Sequence, residues 1–126
     1  MDEQTLRALR AAYEATPNNP QLLLALLLGL RERDQIDEAA ELLVRYEPEH
    51  LEEAGRLTAA NILLATKKPE EALRWANVDS AEARVLRARA CLALGRTEEG
   101  RALYDQALKA NPTLEDPELE IGRAHV

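Results

Sequence analysis

Histidine and cysteine, the residue types that most often carry metal or nucleophilic chemistry, are few in this sequence. The 126-residue chain contains the histidines His50 and His125 and one cysteine, Cys91. A zinc site needs three or four converging ligands. Glu47 and Glu49 flank His50, but neither histidine has a cysteine or an ordered set of carboxylates at ligand spacing. We therefore predict no metal site and interpret both histidines as surface residues.

Covalent and acid–base catalysis also lack a recognisable set of residues. No nucleophile stands beside a base, and no carboxylate pair has a reason to hold two different pKa values. Arg87 and Arg89 would lower the pKa of the Cys91 thiol if that thiol were exposed, which leaves a redox role as an alternative. A single cysteine cannot form an internal disulfide. The sequence predicts a protein that is not an enzyme and holds no cofactor.

The overall charge excludes further classes of partner. The formal net charge is −7 and the pI is near 4.9, so the field of the protein repels nucleic acids and anionic membranes. The longest apolar run, residues 22–30, is much shorter than the roughly 18 residues needed to span a bilayer. The start, Met1-Asp2-Glu3, lacks the features of a secretory signal, and we expect a cytoplasmic protein.

The elements that position these residues are predicted to be helices. Leu and Ala carry most of the apolar fraction, and Gly and Pro fall between apolar runs of helical spacing. We expect Asp34 and Thr97 to cap helices, and Asp79 with Glu82 to form a loose capping box. The predicted helical segments are 2–16, 21–33, 36–46, 49–66, 69–76, 80–94 and 97–111. A stub at 113–126, with Asp116 as a cap, is expected to stop too early to pack well.

Small residues recur in a frame that suggests a repeat of about 34 residues. The frame contains Leu26-Leu27, Ala59-Ala60 and Arg87-Ala88, each followed twelve residues later by Ala39, Ala72 and Gly100. In this frame the chain resembles the tetratricopeptide repeat family. The third unit carries most of the matching positions: Ala83, Ala88, Ala90, Gly95, Tyr104, Ala107 and Pro112.

The resemblance implies an all-α, right-handed solenoid of antiparallel helix pairs, with about seven helices and a C-terminal stub in one domain, 1–126. About three degenerate repeats would occupy 20–48, 51–78 and 80–112, preceded by a half-repeat at 2–16. Cys91 falls at a position that the family gives to a packing residue, so we interpret it as a small buried hydrophobe.

The resemblance also implies a concave groove that binds a protein or peptide partner. By position, the residues expected to contact the partner are Leu24, Leu28, Arg31, Leu57, Asn61, Leu64, Val85 and Arg89. This set is more apolar than charged, which suits a helix or an extended segment with Leu-like anchors. Alternatively, a terminal helix of the chain or a second copy covers the apolar residues. The Lys and Asn clamp with which some family members bind acidic chaperone tails is not matched, because Leu24, Leu28 and Glu82 stand at the corresponding places.

A possible basic patch lies on the predicted sixth helix. Arg84 and Arg87 are three residues apart and share one helix face. They either dock an acidic partner segment or pair with Glu98, Glu99 or Asp105, an arrangement of little energetic weight on a solvated face.

We interpret the chain as a non-catalytic scaffold or adaptor for protein–protein interaction. One alternative is the N-terminal regulatory or oligomerisation domain of a larger ATPase, because residues 111–120 resemble the segment that joins such repeats to an ATPase module. Another is a structural module that self-associates through the half-repeat and the terminal stub, which would make it a homo-oligomer.

Overall fold

The computed structural model describes residues 2–124, and side chains as far as Ile121. Those residues form eight α-helices and no strand, which confirms the predicted all-α fold. The helices are α1 Glu3–Ala15, α2 Pro20–Glu32, α3 Ile36–Leu43, α4 Glu53–Ala65, α5 Pro69–Trp75, α6 Ala81–Ala93, α7 Thr97–Ala110 and α8 Pro117–Ala124. His125 lies outside the described residues.

The helices pack in the order of the chain. Each helix contacts the next, and α2 also contacts α4, as α4 does α6. Short connections between consecutive helices favour antiparallel neighbours. The resulting arrangement pairs α2 with α3, α4 with α5 and α6 with α7, and it places the first helices of the three pairs side by side. This pattern is consistent with a tetratricopeptide-like helical repeat.

The turn inside each pair has the same backbone structure in all three units. Asp34, Lys67 and Gly95 hold the left-handed conformation, with φ of 59°, 61° and 79°. The backbone N–H after each of them donates to the carbonyl five residues earlier, from Gln35 to Leu30 (2.7 Å), from Lys68 to Leu63 (2.8 Å) and from Arg96 to Cys91 (2.8 Å). This bond is typical of the helix ending that glycine favours. The repeat is therefore visible in the backbone as well as in the packing.

Two of these turns carry a side chain where glycine is favoured, and Lys67→Gly tests the cost. A left-handed residue other than glycine costs on the order of 1 kcal/mol. We expect Lys67→Gly to raise the free energy of unfolding by about 0.5–1 kcal/mol, measured by urea denaturation. Gly95→Ala, where the added Cβ meets no atom within 4 Å, should lower it by a similar amount through backbone strain alone. Equal stabilities of both variants and the wild type would contradict this explanation.

Three predicted helix caps are wrong, although the predicted starts of α3 at Ile36 and of α7 at Thr97 agree with the structure. Asp34 lies in the left-handed turn, and Gln35 precedes α3 without a side-chain cap. Thr97 is the first helical residue of α7. Ser80, not Asp79, accepts the hydrogen bond from Ala83 N at the start of α6, at 3.1 Å.

The middle of the chain also departs from the predicted boundaries. A 3-10 turn at Pro48–His50 replaces the start of the predicted helix 49–66, because α4 begins at Glu53. The helix predicted over 36–46 ends at Leu43. The first helices of the units begin 33 and then 28 residues apart, at residues 20, 53 and 81. The intervals differ mainly because the connection at 44–52 has 9 residues, including the 3-10 turn, whereas that at 76–80 has 5.

Two apolar clusters form the core. The larger one extends from Leu6 in α1 to Ala90 in α6 and contains the fully buried Trp75. The smaller one joins Ala88, Tyr104 and Leu119. Leu119 belongs to α8 and is only 6% exposed, so the expectation that the C-terminal stub does not pack is wrong for its described part.

Candidate functional site

The first helices of the three pairs present equivalent positions on one face. α2, α4 and α6 each have 13 residues. Residues three and four apart share a helix face, so the second, fifth, ninth and twelfth positions of each helix form one stripe. The fifth position holds Leu24, Leu57 and Val85. In α8 the same position holds Ile121, which is 62% exposed.

A cavity of about 500 Å³ opens on this face between α4 and α6. We call it the α4–α6 cavity. Three residues expected in the groove lie together there: Asn61 and Leu64 from α4 and Arg89 from α6. Ala65, Ala93 and Glu118 complete its wall. The Asn61 amide donates to Leu57 O of its own helix at 3.1 Å, and the residue is exposed.

A second cavity, of about 310 Å³, lies between the N-terminal ends of α2 and α4. We call it the α2–α4 cavity. Leu24 lines it together with Gln21, Ala54 and Glu52. His50, from the 3-10 turn, also reaches this cavity. This histidine is exposed, as the sequence predicted, but it also borders a cavity.

The remaining expected groove residues line neither cavity. Leu57 and Val85 are half-buried and pack against the larger and the smaller core cluster, respectively. Leu28 is 37% exposed, and Arg31 is exposed near the end of α2. The structure thus brings Asn61, Leu64 and Arg89 around one cavity and distributes the others along the same helix faces.

The electrostatics of the α4–α6 cavity depend on the start of α8, which contains none of the predicted groove residues. Arg89 Nε lies 3.5 Å from Asp116 Oδ2, and Arg89 Nη2 lies 3.7 Å from Glu118 Oε2. Asp116 also caps α8, accepting from Glu118 N at 3.0 Å and from Leu119 N at 3.3 Å. The Asp-Pro cap was visible in the sequence, but its contact with Arg89 depends on α8 packing beside α6. The one basic side chain lining this cavity among the described residues is therefore already paired with carboxylates.

Tyr104 fixes the position of α8. Its hydroxyl donates to Glu120 Oε1 at 2.6 Å and accepts from Asp116 N at 2.9 Å. Burial, followed by the contact with Glu120, raises the pKa of this hydroxyl, which therefore stays protonated and able to donate at neutral pH. The same hydroxyl thus holds both the cap and the first turn of α8.

Tyr104→Phe removes these two hydrogen bonds while keeping the aromatic ring in the core. A hydrogen bond to a charged group contributes about 1.5–3 kcal/mol. We expect amide hydrogen exchange at Leu119 and Glu120 to accelerate about 10- to 100-fold, with exchange in α2 unchanged. NMR-detected exchange measures both regions at once. Unchanged exchange in α8 would show that the Leu119 contact alone holds the helix.

The predicted basic patch is not a free surface. Arg84 Nη2 pairs with Asp79 Oδ1 at 2.7 Å, an acceptor outside the predicted set of Glu98, Glu99 and Asp105. Arg87 is half-buried, and its Nε is buried without a hydrogen-bond partner among the described residues. The two arginines therefore differ in environment although they share a helix.

The described residues present little that resembles catalytic chemistry. Within residues 2–124, no three His, Cys, Asp or Glu side chains are grouped so that they could hold a metal ion. Cys91 is fully buried, as predicted, and burial raises the pKa of its thiol, which opposes thiolate formation. In the same part of the chain, no helix has both the length and the apolar character needed to cross a membrane.

Comparison with known proteins agrees with the repeat seen in the backbone. Residues 81–125 match the family model described as tetratricopeptide repeat, which supports the assignment of the chain to that family. Neither a curated protein nor a solved structure matches the chain significantly. The repeat indicates a protein–protein interaction module, and the family is generally non-catalytic.

Proposed function

We propose that the chain is a non-catalytic adaptor that binds a segment of another protein along the face formed by α2, α4, α6 and α8, which we call the α2–α8 face. The observation that carries this proposal is the α4–α6 cavity, where Asn61, Leu64 and Arg89 open onto one space of about 500 Å³. That volume falls within the range of natural ligand clefts. The tetratricopeptide match at 81–125 supports the same class of function.

The chemistry of this face suits a peptide segment. Leu24 and Leu64 each line a cavity with apolar side chains that remain partly exposed. Asn61 and Glu118 add isolated polar groups. Apolar pockets that accept anchor side chains, with a few polar groups between them, are the usual means by which helical grooves bind a segment of a partner.

The proposal includes the cellular setting expected from the sequence. The partner is a protein in the cytoplasm, and the net charge of −7 disfavours nucleic acid as a partner. Self-association is a separate outcome that the same experiment detects, since a second copy of the chain would be the captured protein.

Site-specific photo-crosslinking tests the proposal. A photoreactive amino acid replaces either Asn61, in the α4–α6 cavity, or Gln106, which is exposed on α7. Both chains are irradiated in a lysate of the organism that carries the gene, and the adducts are identified by mass spectrometry. We expect a specific adduct from position 61 that is absent from position 106. The same adducts from both positions, or none from position 61, would contradict binding at this face.

A further inference from the structure

The charges beside the α2–α8 face point to one kind of partner segment. We infer that the occupant is an amphipathic helix with lysine or arginine along one flank and an apolar residue at about every seventh position. This inference rests on the proposed function, and it adds the chemistry of the partner. It follows from three features of the face: a row of apolar side chains, a row of carboxylates beside it, and the existing ion pairs of Arg89.

The apolar row consists of the fifth residues of the four helices, Leu24, Leu57, Val85 and Ile121. Leu24, Leu57 and Val85 are partly exposed and Ile121 is exposed. Leu24 also lines the α2–α4 cavity. The row crosses the four helices without a charged residue. It therefore offers a continuous apolar contact across the helices.

The acidic row lies toward the N-terminal ends of the same helices. Glu82 and Glu118 are the second residues of α6 and α8, three residues and less than one helical turn before the apolar row. Glu52 directly precedes α4, five residues before the row. All three are exposed. Glu52 lines the α2–α4 cavity and Glu118 the α4–α6 cavity. Carboxylates therefore flank the apolar row on one side.

Arg89 does not balance this negative charge. Asp116 and Glu118 approach it at 3.5 Å and 3.7 Å, so two carboxylates already face one guanidinium. To reach Arg89, an acidic segment would have to displace these two carboxylates. It would also be repelled by Glu52 and Glu82 on the same surface. A segment with basic side chains on that flank instead gains attraction at each carboxylate.

The spacing of the row favours a helix as the occupant. Neighbouring helices pack with their axes about 8–10 Å apart, so the apolar residues of the row recur at about that interval. Residues seven apart on a helix lie about 10.5 Å apart along its axis and on the same face. Along an extended strand, residues three apart cover about 10 Å but point to opposite faces. A helix with an apolar heptad position therefore matches the row.

A displayed library of random peptides tests this inference. The peptides have about 20 residues, since a helix of that length spans about 30 Å. Selection is made on the wild-type chain and on two variants of equal charge, Glu52→Gln/Glu82→Gln and Glu98→Gln/Glu99→Gln. The second pair is exposed at the start of α7, outside both cavities, and controls for attraction by net charge. A third variant, Leu24→Gln/Leu64→Gln, removes apolar anchors from the two cavities.

We expect selection to enrich peptides that have a net positive charge and apolar residues at heptad spacing. The selected peptides should gain helicity on binding. Exposed ion pairs contribute about 0.2–1 kcal/mol each, so Glu52→Gln/Glu82→Gln should weaken the selected peptides about fivefold. Glu98→Gln/Glu99→Gln should change affinity by less than about twofold, because remote exposed charges are screened.

Other results separate the two proposals. Selected peptides that are acidic or neutral, yet lose binding to the Leu24→Gln/Leu64→Gln variant, would overturn the basic-helix inference and leave the binding face intact. Equal weakening by both glutamate pairs would also overturn it. Failure to enrich any peptide, or binding unaffected by the leucine substitutions, would contradict the proposed function itself. Concentration-dependent dimerisation abolished by the leucine substitutions would identify a second copy as the occupant and overturn the inference.

Discussion

Trp75→Ala is expected to lower the free energy of unfolding by about 3–5 kcal/mol, the usual cost of truncating a large buried aromatic residue. Trp75 is fully buried at the end of α5. That helix has only 7 residues, yet it contacts both α4 and α6. Because a short helix offers few side chains for these contacts, loss of the largest one leaves a cavity between adjacent units. Urea denaturation followed by far-UV circular dichroism measures the change.

Two further substitutions show whether volume or the indole nitrogen decides the result. Trp75 Nε1 is buried without a hydrogen-bond partner among the described residues, so Trp75→Phe removes an unsatisfied donor together with some volume. We expect Phe to cost less than half of the loss caused by Ala. Val44→Ala, at a residue that is 50% exposed, should change stability by less than about 0.5 kcal/mol. A loss at Trp75→Ala as small as that at Val44→Ala would contradict the packing described for α5.

Leu24→Gln/Leu64→Gln is expected to weaken binding of the partner about 30- to 100-fold. The two residues line different cavities on the α2–α8 face. Removing an apolar anchor from an interface pocket costs on the order of 1–1.5 kcal/mol when the pocket is dry in the complex. Two such losses correspond to this range of affinity. Isothermal titration calorimetry with the captured partner measures the change.

The matched control makes the same leucine-to-glutamine substitutions on helices that do not form the α2–α8 face. Leu73 and Leu108 are half-buried on α5 and α7, where they pack against the two core clusters. Leu73→Gln/Leu108→Gln should destabilise the fold to a similar degree without weakening binding more than about twofold. Equal loss of binding in both double variants would show that stability, rather than contact with the groove residues, explains the result.

The helical pattern was predictable because local signals mark most helix ends. Asn19 and Pro20 begin α2, with Asn19 Oδ1 accepting from Gln21 N and Leu22 N at 2.9 and 3.1 Å. Gly95 ends α6 in the left-handed conformation that glycine favours. Asp34 and Lys67 hold the same conformation without being glycine. The sequence therefore suggested that Asp34 caps the start of α3. In the structure Asp34 instead belongs to the left-handed turn that ends α2.

The sequence predicted the location of the candidate site, but it did not predict which charged groups surround Arg89. The register of the repeat placed Asn61, Leu64 and Arg89 on one face, and the structure brings them to one cavity. The pairing of Arg89 with Asp116 and Glu118 depends on α8 packing beside α6, which the terminal segment did not reveal by its length. Tyr104 and Leu119 hold that helix through a buried contact and two hydrogen bonds. Such tertiary contacts are not encoded in helix periodicity.

Hydrogen exchange of the complex tests the central claim, binding along the α2–α8 face, most directly. The chain is measured by mass spectrometry with and without the tightest-binding selected peptide. We expect protection in residues 57–65 and 85–93, which carry the groove positions of α4 and α6, and unchanged exchange in residues 69–75 and 97–110 of α5 and α7. Protection confined to α5 and α7 would place the partner on the opposite helices and contradict the account.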